Sequence, residues 1–167
     1  MTKGGISFEG GLDASGLQIA IVTARFNPHV TSLLYDGCRD ELEGRGLRPD
    51  RLRSVEVPGC FELAVTAQTL AASGRFDAVV CLGAIIRGET PHFEFVASAT
   101  ASGLQQAALA TGIPVVFGVL TTETEQQALD RAGGSAGHKG REAALTAIEM
   151  AHRMRDLREG RGADDQT

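Results

Sequence analysis

Two stretches of this chain are apolar almost without a break, Ile19-Ala20-Ile21-Val22 and Ala78-Val79-Val80-Cys81-Leu82. A strand that shows one face to water alternates apolar with polar residues, whereas a strand covered on both faces has no reason to. Runs this short and this rich in β-branched residues are strands, and their near-continuous apolarity predicts helices packed on both sides of them. A parallel sheet made of β-α-β crossovers meets that requirement.

The rest of the chain has the alternation such a fold needs. Strands are predicted over residues 18–23, 52–57, 78–86 and 115–120. Helices are predicted over 30–46, 61–73, 93–111, 123–131 and 141–157. In the first helix Val30, Leu33, Leu34, Cys38 and Leu42 fall on one stripe, and Gly44 and Gly46 close it. In the third, Phe93, Val96, Ala97, Thr100, Leu104, Ala107 and Ala108 recur at helical spacing. Strand 52–57 alternates instead, and a glycine-rich elbow over 132–140 joins the last two helices. One domain is expected over 1–167, with a flexible, glycine-rich N-terminal arm over 1–16, a core over 17–157 and a frayed tail over 158–167.

In a parallel sheet the loops that leave the carboxyl ends of the strands share one edge, and ligands bind there. Those loops are Arg25-Phe26-Asn27, Pro58-Gly59-Cys60-Phe61-Glu62, Arg87-Gly88-Glu89-Thr90-Pro91-His92 and Thr121-Thr122-Glu123. The third sets four polar or titratable side chains directly behind the most apolar strand.

Composition narrows what such an edge can bind. The 167 residues carry 16 Lys and Arg against 21 Asp and Glu, a net charge of −5, with seven Phe, one Tyr and no Trp. A nucleic-acid binder would show a basic stripe with interleaved aromatics, so no nucleic-acid partner is expected. No run reaches the ~18 apolar residues of a membrane span, and the start has no apolar core of signal-peptide length. The three cysteines, Cys38, Cys60 and Cys81, form no C-x-x-C and read as reduced, mostly buried thiols. The expectation is a soluble, cytoplasmic protein.

His92 is the one histidine of four on the ligand-bearing edge. By position it reads equally as a helix cap and as a proton carrier, for imidazoles titrate near neutrality. No histidine pairs with another histidine or a cysteine at ligand spacing, so no metal site is expected. Arg131 followed by Ala-Gly-Gly-Ser-Ala-Gly-His-Lys-Gly offers successive backbone N–H groups, a helix start and the charges of Arg131 and Lys139 to a phosphate. The simpler reading of an isolated elbow is a flexible link. It joins two helices, so it is not a P-loop, and no G-x-G-x-x-G follows the first strand. Phe26 and Phe117 read as core residues by default, although Phe26 sits between polar neighbours and suits stacking on a flat ring. Glu62 falls in a first helical turn, where a carboxylate is favoured whatever its function. The residues alone support an α/β protein with a site for an anionic, phosphorylated small molecule and one acid/base candidate.

Taken together, Ala24-Arg25-Phe26-Asn27, Val57-Pro58-Gly59-Cys60-Phe61-Glu62, Gly83-Ala84-Ile85-Ile86-Arg87-Gly88-Glu89-Thr90-Pro91-His92-Phe93, Gly118-Val119-Leu120-Thr121-Thr122, and Arg131-Ala132-Gly133 with Lys139-Gly140 resemble the lumazine synthase family. The match runs in order over residues 17–157. The resemblance implies a three-layer, flavodoxin-like fold with strand order 2-1-3-4. It implies the penultimate step of riboflavin synthesis: a ribitylaminouracil condenses with 3,4-dihydroxy-2-butanone 4-phosphate to 6,7-dimethyl-8-ribityllumazine, without cofactor or metal.

By matching position, the resemblance implies that Phe26 stacks on the uracil ring. Cys60, Phe61, Glu62, Ala84, Ile85 and Ile86 would hold that ring and its ribityl chain, with Phe117 closing the pocket from an adjacent subunit of a pentamer. Glu89, Thr90, Arg131 and Lys139 would bind the phosphate, and His92 would shuttle protons. Three positions depart from the family pattern: Cys60 replaces a common Ser or Ala, Glu89 a small residue, and His138 a common Asn. In the family a compact elbow accompanies closed sixty-subunit shells, so the resemblance implies such a shell here. The competing reading is a non-catalytic lumazine- or flavin-binding shell protein of the same fold.

Overall fold

A computed structural model describes residues 7–161. Residues 1–6 of the expected arm and 162–167 of the expected tail lie outside it. Strands β1 (Ile19–Ala24), β2 (Leu52–Val57), β3 (Ala78–Ile86) and β4 (Val115–Thr122) pair in parallel in the order β2-β1-β3-β4. This is the expected topology. The two continuously apolar runs are the two central strands, and β1 is buried along its whole length.

The pleat sends alternate residues of each central strand to opposite layers. Ile19, Ile21, Val80 and Leu82 join a cluster with Leu34 and Leu42 of α1 (Pro28–Gly44) and with Ala144 and Ile148 of α5 (Lys139–Arg158). Ala20, Val22, Val79 and Cys81 join another with Leu63 and Ala67 of α2 (Leu63–Ala72) and with Leu104 of α3 (His92–Thr111). Each fully buried Leu, Ile or Val contributes roughly 1.5–3 kcal/mol by leaving water, so two cores hold the sheet from its two sides. No described helix is long and apolar enough to cross a membrane.

Several local expectations shift. Only Val57 of β2 is buried and three of its six residues are exposed, because β2 is an edge strand. Leu33 leaves the predicted stripe and is exposed. The second helix starts at Leu63 rather than Phe61, after a 3₁₀ turn over Cys60–Glu62 that Glu62 braces by accepting from the Gly59 N–H at 3.0 Å. The elbow after α4 (Glu125–Asp130) is a small antiparallel hairpin, β5 (Ala132–Gly134) and β6 (Gly137–His138). Gly133 and Gly137 take positive φ there, a conformation other residues adopt only under strain. On the N-terminal side, Ala14 is already fully buried and its N–H donates to the Arg45 carbonyl at 2.9 Å.

Candidate active site

At the carboxyl ends of β1, β2 and β3 the chain encloses a cleft of about 770 Å³. Its floor is the end of β3, where Ala84 and Ile85 are buried and Ile86 is half-buried. The β1–α1 loop is tied to that floor. Asn27, the one described non-glycine residue at positive φ, donates from its side chain to the Ala84 carbonyl at 2.9 Å. Asparagine tolerates this conformation better than most residues. The bend it makes turns Phe26 outward.

Three phenylalanines stand around the cleft with most of their surface in solvent: Phe26 at 72%, Phe61 at 65% and Phe95 at 72%. An exposed Leu needs no explanation, but several exposed aromatic rings around one hollow do. They make faces on which a flat ring can stack.

His92 opens α3 at the rim of the cleft, exposed, with its backbone N–H directed at Thr90 Oγ1 at 3.5 Å. Thr90 lines the cleft too, while Glu89 is exposed and is not among the lining residues. Arg87 turns away from the cleft. Its guanidinium pairs with Glu94 and with Glu123 at 2.7 Å and lies 4.3 Å over the Phe93 ring. The hydrogen bond from Arg87 holds the Glu94 carboxyl below its ordinary range, and the same contact raises the guanidinium further. Arg87 is a strut between β3, the start of α3 and the loop after β4.

Glu62 faces the cleft with one carboxylate oxygen engaged by Gly59. Cys60 also lines the cleft, but burial pushes its thiol up to about 11, so at neutral pH it is a protonated wall rather than a nucleophile. It fits because Gly83 lies beneath it: a Cβ at Gly83 would come within 2.4 Å of the Cys60 sulfur.

Nine of the predicted site residues thus share this cleft: Phe26, Cys60, Phe61, Glu62, Ala84, Ile85, Ile86, Thr90 and His92. Phe117, Arg131 and Lys139 do not. They line a separate hollow of about 650 Å³ over the outer edge of β4, between α3 and α5. There Arg131 donates to the Gln127 carbonyl at 2.9 Å, and Lys139 pairs with Glu142 at 2.6 Å. Phe117 is 46% exposed on this edge strand. Among the described residues no Lys or Arg lines the first hollow and no His lines the second.

Sequence reasoning missed Asn27 as a tether and Phe95 and Val96 as cleft walls. An asparagine directly before Pro-His at a strand-to-helix turn was the available signal for the first. Phe95 lies off the buried stripe of its helix, and an off-stripe aromatic beside a predicted site was the signal for the second.

The family model of 6,7-dimethyl-8-ribityllumazine synthase matches residues 16–155. The chain belongs to that family.

Proposed function

We propose that the chain condenses 5-amino-6-(D-ribitylamino)uracil with 3,4-dihydroxy-2-butanone 4-phosphate, giving 6,7-dimethyl-8-ribityllumazine, phosphate and water. Family membership supports a role in riboflavin biosynthesis. The observation that carries the finer reading is the cleft itself: exposed aromatic faces and one imidazole, open at the carboxyl edge of the sheet.

In this reading Phe26 stacks on the uracil, and the polypeptide from Cys60 to Glu62 and from Ala84 to Ile86 holds its edge and the ribityl chain, with Glu62 accepting from ribityl hydroxyls. An amine of the uracil attacks the ketone, the carbinolamine loses water, phosphate leaves by elimination, and the second amine closes the ring on the remaining carbonyl with loss of a second water. Every step moves a proton between heteroatoms or off carbon. His92, which lines the cleft at its rim, takes and returns those protons in this reading, a contribution of about 10²–10⁴-fold. Holding the two reactants together supplies a further share of the rate.

The phosphate needs cations, and those on the chain's second hollow, Arg131 and Lys139, lie apart from His92. We therefore assign a complete site to two copies. One provides the aromatic cleft and His92. Its neighbour in a ring, a pentamer in the family's manner, provides Phe117, Arg131 and Lys139. Such a head-to-tail contact uses two different surfaces of one chain and closes into a cycle. By the family's pattern a compact elbow goes with assembly of rings into a shell, and light scattering showing only a pentamer-sized particle would count against that step.

The test is to mix purified, assembled protein with both substrates and follow lumazine fluorescence against a protein-free blank, because amine and ketone condense slowly unaided. Product well above the blank is expected. Product no faster than the blank, from correctly assembled protein, would sink the enzymatic reading.

A further inference from the structure

The segment from Arg131 to Gly140 holds two cations and four glycines, Gly133, Gly134, Gly137 and Gly140. Glycines give a chain little to hold it by and much backbone freedom to lose. Two charged side chains on such a segment would not keep a fixed separation unless something else anchored it.

The backbone supplies part of the anchor. Lys139 N–H donates to the Arg131 carbonyl at 2.8 Å, so the two cations stand at the paired base of the hairpin. Ala136 N–H donates to the Asp130 carbonyl, also at 2.8 Å. The remaining anchor is a side chain. The ring of His138 occupies a slot whose walls are glycines from three elements. A Cβ on Gly37 of α1 would lie 2.0 Å from its Cε1, one on Gly140 of α5 3.0 Å from the same atom, and one on Gly133 of β5 3.1 Å from its Cδ2. No side chain fits at Gly37 while the ring is in place. The ring also acts on the helix: His138 is the N-cap of α5, and its Nδ1 accepts from Arg141 N–H at 3.4 Å. An imidazole that accepts at Nδ1 there is a neutral one.

We propose that His138 is the positioning residue of the anion-binding pair, its imidazole wedged into the glycine slot and capping α5 so that Arg131 and Lys139 present their charges together. That the anion is the phosphorylated ketone rests on the function proposed above; the positioning does not. Burial, and then the neighbouring Arg141, push the His138 imidazole below its ordinary value, which keeps the capping form populated at neutral pH. Without the ring, the glycines regain their freedom and the cations lose their fixed geometry, while the aromatic cleft and His92, in the other hollow, are untouched.

The experiment compares wild type, His138→Ala and His138→Asn as assembled protein. Two quantities are read: inorganic phosphate affinity by calorimetry, and the steady-state constants for each substrate. His138→Ala is expected to weaken phosphate binding and raise KM for the butanone phosphate by roughly tenfold, about one charge-assisted hydrogen bond. The kcat and the KM for the ribitylaminouracil should stay within about twofold, below the ~1 kcal/mol scale of a single hydrogen bond. Asparagine is a strong N-cap and should recover most of the loss. Phosphate affinity unchanged in folded His138→Ala overturns the proposal. So does a parallel loss in kcat and both KM values that tracks a lowered Tm, or wild-type protein that binds no phosphate. Wild-type protein that binds phosphate but makes no lumazine would refute the proposed reaction and leave the positioning role to be decided by calorimetry alone.

Discussion

In the proposed reaction the two hollows of this chain hold complementary halves of one chemistry. The first, over the ends of β1 and β3, has rings, a carboxylate and an imidazole, and no lysine or arginine among its described lining residues. The second, over the edge of β4, has two cations, the carboxylate of Glu142 and one exposed Phe, with no histidine among its described lining residues. A proton carrier and a phosphate clamp there serve one substrate, yet the fold puts His92 at the strand ends and Arg131 and Lys139 along the outer edge of β4. Residues brought together by strand ends depend only on the fold, whereas residues on an outer edge wait for a second molecule. In the proposed assembly, that contrast would make separate copies of the chain partners in each other's catalysis.

The comparison can be broken most sharply at His92. His92→Ala is expected to slow turnover by about 10²–10⁴-fold and not abolish it. A loss beyond roughly 10⁵ would mean that the imidazole does more than carry protons. Arg131→Ala is expected to cost less, about 10–100-fold in kcat/KM, as one charge-assisted contact is removed. Co-expressing the two single variants then separates the halves. If the site spans two copies in a head-to-tail ring, about a quarter of the sites in a random mixture pair an intact His92 with an intact Arg131, and activity returns. If each chain holds a whole site, the mixture stays as poor as its better parent. Phe26→Ala should weaken the ribitylaminouracil by up to about tenfold, the scale of one aromatic stacking contact, and leave inorganic phosphate binding alone.

Much of this division was written in the sequence, though not as a division. The continuous apolarity of residues 19–22 and 78–82 already meant central strands, and the alternation in 52–57 suited an edge. Three of the four edge loops hold six of the nine site residues that share the cleft, because strand ends and helix starts are local features, while Ala84, Ile85 and Ile86 at the end of β3 came from the family resemblance. Arg131 and Lys139 were legible as a cationic pair, but periodicity says nothing about which side of a sheet an elbow will occupy. The elbow read as a flexible link because its glycines suggest freedom. What orders it is a distant residue, Gly37, whose missing side chain makes room for His138. Arg87 read as one of four polar side chains on the ligand-bearing edge, and only the placement of Glu94 and Glu123 shows it to be a strut.

The smallest effect concerns pH and falls on the cationic half. The charged groups around His138 are Arg141 and Glu142 on α5, with Glu41 of α1 paired to Arg141 at 3.9 Å. Because the folded value is depressed, the unfolded chain takes up the proton first. The stability this group contributes is fully present above the ordinary histidine value of about 6.5 and is lost as the pH falls through the lower folded value. Melting curves from neutral to mildly acidic pH should show a shallower decline for His138→Asn than for wild type. Identical slopes would show that the imidazole is not felt.

The pleat of β1 carries a consequence for how this sequence can change. Ile21 and Val22 are covalent neighbours, yet they belong to different cores and share almost no packing partners. Ile21 and Leu34 are far apart in the chain and belong to the same core. Substitutions that share partners couple, and those that do not are close to additive. Epistasis in this protein should therefore ignore adjacency along the strand and follow the two layers, so that the layer beneath the aromatic cleft and the layer beneath the hairpin can drift as two separate sequences threaded through one strand.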